Sequence, residues 1–230
     1  MDISKKKLFE DLEKLNNNEY SFQKDRDSYN EFINSLDEKF KTYLDENLLE
    51  ADMYLIHAIF NMIDFHDEYG SMEICKKCWE NCRDERALVF ICYILDDYQG
   101  GIHEALFNEL IKLESSAFKI KSCIEMYIGI YYLKNDTQAF IQNLNKSIVS
   151  YENNVHAYFI LGRYYSEIKN LSVANAFFKQ GVSHVVTVSK IDDFPKKGYD
   201  FYSIDNYFDE MILWSDCTYI KYNHLTNQIR

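Results

Sequence analysis

Chain-breaking residues recur in this sequence at the spacing of a helical hairpin. The breaks fall at Gly70, Gly100, Asn135 and Asn170, 30 to 35 residues apart. Each is flanked by stretches whose apolar residues return every three or four positions, the period of an amphipathic helix. A unit of that length holds two helices and a turn. It cannot bury its apolar face alone, so successive units have to stack. The best-defined unit begins at His156. Large residues recur at Tyr158, Leu161 and Tyr165 on its first helix and at Phe178 and Val182 on its second, and small residues sit at Gly162, Ala174 and Gly181. Small side chains let two backbones approach while large ones fill the seam beside them. Asn170 stands where the chain has to reverse.

This window resembles a tetratricopeptide repeat (TPR). The family's pattern has an aromatic residue, a Leu-Gly pair, a Tyr three positions on, and a later ladder of Ala, Phe and Ala. Tyr158, Leu161-Gly162, Tyr165, Ala174, Phe178 and Gly181 occupy those places, with Gly181 for the usual Ala and Val186 where the family often has Pro. One period earlier, Ile128-Gly129 and Tyr132 echo Leu161-Gly162 and Tyr165, and a stripe through Phe140, Leu144 and Ile148 follows Asn135-Asp136. Two periods earlier, an apolar helix over 87–95 turns at Gly100-Gly101 and returns through Ala105, Leu106, Leu110 and Leu113. Three periods earlier, a helix over 53–65 breaks at Gly70-Ser71, with Ser71 as candidate N-cap, and returns through Ile74, Cys75, Cys78 and Cys82. The resemblance implies an all-α protein, a right-handed α-solenoid with four TPR-like hairpins over 51–188. Residues 1–50, with stripes through Leu8, Phe9, Leu12 and Leu15 and then Tyr29 to Leu44, read as an N-terminal helical cap. Residues 189–230 read as a loop and a C-terminal helical cap, with a helix over 204–214.

Charge narrows the partners. With 25 basic and 37 acidic residues, the formal net charge is -12. Nucleic-acid affinity comes mostly from Lys and Arg neutralising phosphates, so it is not expected here, and a basic protein is the better-matched partner. The start of the chain, Met1-Asp2-Ile3-Ser4 and then Lys5-Lys6-Lys7, has no apolar core of a signal peptide, and no run approaches 18 apolar residues. No membrane association is expected, and the cytoplasm is the expected compartment.

Signals for chemistry are sparse. Cys75, Cys78 and Cys82 fall at i, i+3 and i+7, on one face of a helix, and the repeat register puts Cys75 and Cys78 where the family has seam residues. Core packing is the expected role, with zinc or redox chemistry as the rival, since a zinc site needs four thiolate or imidazole ligands and no second Cys-x-x-Cys exists. Six His residues are scattered without a paired spacing. No phosphate-binding Gly loop, nucleophile elbow or calcium loop is present. The chain is therefore expected to be neither an enzyme nor a holder of a cofactor or metal.

The expectation shifts to surfaces. In TPR-like stacks the first helix of each hairpin lines a concave groove. That register points to Met53, Ile56 and Phe60, then Phe90, Asp97 and Tyr98, then Met126, Ile130 and Lys134, and lastly His156, Phe159 and Arg163. Phe60, Phe90, Asp97, Tyr98, Phe159 and Arg163 are the chosen groove contacts. Equally open is that the chain's own Phe208, Met211, Ile212 and Trp214 cover this groove. A second surface is acidic, since the segment 37–68 has nine Asp and Glu against Lys39 and Lys41. Asp45, Glu46, Asp64, Asp67 and Glu68 are chosen there as residues that steer a basic partner. The function expected is protein binding, in one form as an immunity protein neutralising a nuclease toxin. The alternative is an acidic helical-repeat chaperone for a secreted client.

Overall fold

The computed structural model describes residues 4–17, 19–21, 24–98, 101–188, 202–205 and 208. Among them are ten α-helices and no strand: α1 (Lys5–Asn16), α2 (Arg26–Glu46), α3 (Ala51–Phe60), α4 (Glu68–Cys82), α5 (Glu85–Tyr98), α6 (Glu104–Leu110), α7 (Phe118–Tyr132), α8 (Thr137–Ser150), α9 (Val155–Glu167) and α10 (Leu171–Val188). The all-α helical-repeat fold expected from the sequence is the fold observed. Helices start where short polar side chains can accept from orphan backbone N–H groups. Ser4, Asp25, Asp67, Asp136 and Asn154 each do so. Two compact units result, one reaching Ile91 and including residues 202–205, the other starting at Cys92 and including Phe208.

In the first unit α1 and α2 meet through Leu8, Leu12, Ile33, Leu36 and Phe40, all buried. Buried Asp11 joins them with charge, because Lys14 Nζ donates to it at 2.7 Å and Lys39 Nζ at 2.8 Å. Every residue of α3 from Met53 to Phe60 is buried. The reversal after α3 differs from the expected break at Gly70-Ser71. A π-helical turn over Asn61–Phe65 and left-handed His66 (φ 51°) turn the chain, and Asp67 caps α4. Gly70 lies inside the first turn of α4. Ser71 is no cap; its hydroxyl is buried and donates to the carbonyl of Ala58 at 2.9 Å.

In the second unit the pairs α7–α8 and α9–α10 form two hairpins, and Gly162 shows how closely the latter pair is packed. A Cβ on Gly162 would stand 2.5 Å from Phe178 Cε1, and one on Gly129 would stand 3.2 Å from Leu144 Cδ2. A buried polar cluster ties three helices together. Asn154 Nδ2 donates to Ser122 Oγ at 2.9 Å and Ser147 Oγ at 3.1 Å, while Ser122 Oγ donates to the Ser147 carbonyl at 2.8 Å. Asn154 Oδ1 accepts from the Ala157 N–H at 3.3 Å, so the cluster and the cap of α9 are one device.

Candidate functional site

A cavity of about 330 Å³ opens on the first unit between α2, α3 and α4. Helical spacing builds each wall. Asp37, Lys41, Leu44 and Asp45 come from one face of α2. Tyr54 and His57 come from α3, Asn61 and Phe65 from the π-turn, and Asp67, Gly70, Ile74 and Lys77 from the start of α4 and its cap. Asp37 is its most heavily bonded group. Lys41 Nζ donates to Oδ2 at 2.6 Å, His57 Nε2 donates to Oδ1 at 2.7 Å, and Asn61 Nδ2 donates to the same oxygen at 3.3 Å.

Electrostatics follows from burial. Desolvation pushes the Asp37 carboxyl up, but the bonds from His57 and Lys41 outweigh it and bring its pKa down to about 2. Desolvation also dominates at His57 and lowers its pKa, with Asp37 opposing. His57 is therefore neutral at pH 7, with its Nε2 proton on Asp37 and a buried Nδ1 that has no hydrogen-bond partner. Its ring stacks on Phe40 at 4.8 Å, which fixes its plane. No Ser, Thr or Cys is among the cavity's lining residues, and Lys41 is tied to Asp37 as an ion pair.

The acidic residues expected at a surface divide. Asp45 and Glu46 are exposed at the end of α2, Asp67 is exposed and Glu68 half-buried at the start of α4, and Asp45 and Asp67 line the cavity. Asp64 needs correction. Its carboxylate accepts from Tyr29 Oη at 2.7 Å and Tyr202 Oη at 2.8 Å, and burial raises its pKa, so it is an internal acceptor and no steering charge.

The groove residues need a larger correction. Phe60, Phe90 and Phe159 are 0, 1 and 1% exposed and offer no surface to a partner, and Met53, Ile56, Met126 and His156 are buried as well. Phe60 packs against Phe40, Phe65 and Tyr202. The C-terminal segment thus covers Phe60 through Tyr202, which the sequence did not single out. Phe159 faces its own hairpin partner, close to Gly181 and 5.7 Å from the Phe178 ring. The side chains of Asp97 and Tyr98 lie outside the described residues, as do Met211, Ile212 and Trp214. Arg163 is exposed, and it lines a second cavity of about 370 Å³ with Ile130, His156, Ile160, Asp96 and Glu167. The register therefore brings Ile130, His156 and Arg163 to one place on the second unit. Burial, with Arg163 adding repulsion, pushes the His156 pKa down to about 3.

Cys75 and Cys78 are buried, Cys82 is half-buried, and burial raises all three thiols away from the thiolate that a metal needs. Cys78 Sγ donates to the Ala51 carbonyl at 3.8 Å and Cys82 Sγ to the Leu48 carbonyl at 3.5 Å. Among the described residues no group of three His, Cys, Asp or Glu has metal-site geometry. No described helix is long and apolar enough to cross a membrane.

His57, Asn61, Lys77 and Gly70 were not singled out as site residues in the sequence. The signal for one wall was there, because Asp37, Lys41 and Asp45 follow one another at i, i+4 and i+8. Nothing in the spacing says that three helices converge on that wall.

No family model matches the chain, and no curated protein matches it. Among solved structures, the crystal structure of MamA, a TPR-like helical-repeat protein, matches with a TM-score of 0.52 at 16% identity. The match covers 74% of this chain and 99% of that one. At that identity the likeness speaks for architecture alone. The fold is a TPR-like helical repeat.

Proposed function

We propose that this chain is a protein-interaction module that captures a basic partner protein on the acidic face of its first unit. The observation that carries this reading is the cavity between α2, α3 and α4, with Asp45 and Asp67 on its rim and Glu46 and Glu68 beside them in sequence. None of these four carboxylates has a Lys or Arg partner among the described residues. Uncompensated charge at a concave mouth attracts and orients cations, raising the association rate of a basic partner. Apolar lining from Leu44, Phe65 and Ile74 supplies contact area once the partner arrives.

Within this class the narrower reading is an immunity protein. A nuclease must carry a cationic face to hold phosphates, and an acidic protein can cover that face. The alternative, a chaperone for an extended client, is favoured by the second unit's cavity, where Ile130, Leu133 and Ile160 provide apolar contacts. Pull-down from native lysate with the wild type, with Asp45→Asn/Glu46→Gln/Glu68→Gln and with Arg163→Glu tests both. The immunity reading expects capture that falls with salt and with the triple variant while Arg163→Glu is neutral. Loss with Arg163→Glu alone would support the chaperone. Capture indifferent to the three acids and to salt would overturn the proposal.

A further inference from the structure

The geometry points to the cavity of the first unit as a socket for a single arginine side chain of the partner, an inference that rests on the acidic face being the docking surface. The polar atoms gathered there are hydrogen-bond acceptors whose donors are absent or already used. Asn61 is 7% exposed. Its Nδ2 donates to Asp37, which turns Oδ1 the other way, towards Gly70, with no donor among the described residues. A Cβ on Gly70 would stand 3.1 Å from that Oδ1 and would collide with the Asp67 carboxylate. Glycine at this position therefore leaves a cradle in which an amide oxygen and a carboxylate oxygen converge. Asp67 Oδ1 accepts from the Gly70 N–H at 2.9 Å, and Oδ2 lies on the cradle side. Asp45 stands two helical turns along α2 from Asp37, with no partner among the described residues.

Most donors on the same lining are spent or exposed, the Tyr54 hydroxyl excepted: it accepts from Asn81 Nδ2 at 2.9 Å and keeps its own proton. His57 uses its Nε2 proton on Asp37, and Lys41 is held by Asp37 at 2.6 Å and Glu38 at 2.8 Å. Lys77 is exposed on α4, able to withdraw its ammonium into solvent while its stem stays on the wall. A ligand matching several converging acceptors must be rich in donors and positively charged. A guanidinium offers five N–H donors in a planar fork, against three on the compact, strongly hydrated head of lysine. Leu44, Phe65 and Ile74 are apolar walls for the aliphatic stem.

The test uses the full chain and N-acetyl-L-arginine methylamide, which carries one guanidinium and no other charge. Titration followed by amide NMR should give saturable shifts centred on Asn61 and Gly70, with the lysine analogue several-fold weaker. Asp45→Asn should weaken binding several-fold, Lys77→Met should tighten it, and Gly70→Ala should abolish it. If Gly70→Ala melts early and is uninformative, Asp45→Asn and Lys77→Met still decide, since both positions are exposed. Absence of saturable binding, equal affinity for the lysine analogue, or indifference to both exposed variants would overturn the socket. Should lysate capture still depend on Asp45, Glu46 and Glu68 while the arginine probe fails, the socket falls and the docking face stands. Capture that ignores those acids would bring down the docking face as well.

Discussion

Asp37 keeps its charge in a place that penalises charge. Two hydrogen-bonded partners, His57 and Lys41, hold its pKa at about 2 against the desolvation that pushes it up from 3.8. A folded pKa below the unfolded one means stability that is present above about pH 4 and is lost as pH falls towards 2. By linkage this amounts to about 2 kcal/mol. Asp37→Asn should therefore unfold at lower urea at pH 7, with the deficit shrinking between pH 4 and 2; a pH-independent deficit would show that packing, not charge, was lost. His156 works in the opposite chemical sense. Its neutral ring is buried with Nδ1 unpaired and a pKa of about 3, so the unfolded chain takes up a proton below about pH 6.5 that the folded chain refuses. Stability falls as pH drops from 7 to 5, by about 2 kcal/mol from this group alone. His156→Leu should flatten that decline in urea melts taken at the two pH values. Neither site was legible as a titrating group in the sequence, because what shifts both pKa values is burial, and burial depends on which helices pack across them.

Helix pairing explains what the sequence disclosed and what it withheld. The fourth hairpin was legible because its seam is written in extremes of size, Gly162 against Phe178 and Gly181 against Phe159. Replacing a helical glycine with alanine ordinarily gains up to about 1 kcal/mol of helix propensity. At Gly162 the added methyl would meet the Phe178 ring at 2.5 Å, and overpacking of this kind costs about 1–3 kcal/mol. Gly162→Ala should lower the urea midpoint, and Gly181→Ala, whose Cβ meets Phe159 at 3.0 Å, should lower it less. The reverse order would mean that α9 and α10 slide apart easily. The first hairpin was misread because its reversal uses neither Gly nor Pro. Asn61–Phe65 and a left-handed His66 make the turn, while the conspicuous Gly70 sits inside a helix to leave room for the Asp67 carboxylate and the Asn61 carbonyl. The groove register failed at Phe60 and Phe159 for one physical reason. It presumes that one face of each first helix stays open, whereas α3 is buried at every position from Met53 to Phe60 and Phe159 turns towards α10.

The whole chain carries a formal charge of -12, and that excess works against compactness through self-repulsion. Asp45, Glu46 and Glu68 belong to this cost, since no described cation is paired with any of them. Changing them to Asn, Gln and Gln removes three negative charges without removing a described ion pair. The fold should gain from it, with a melting temperature higher by about 1–3 °C at low ionic strength. At about 0.5 M salt, where the Debye length is ~4 Å, that gain should shrink because the repulsion is already screened. Partner capture should move the other way, falling with the same three changes and falling in the wild type as salt is raised. Opposite signs in the two measurements are what a surface kept for binding at the expense of stability must give. A melting temperature that falls together with capture would instead mean that these carboxylates hold the first unit together. Differential scanning fluorimetry and pull-down on the same preparations decide between the two.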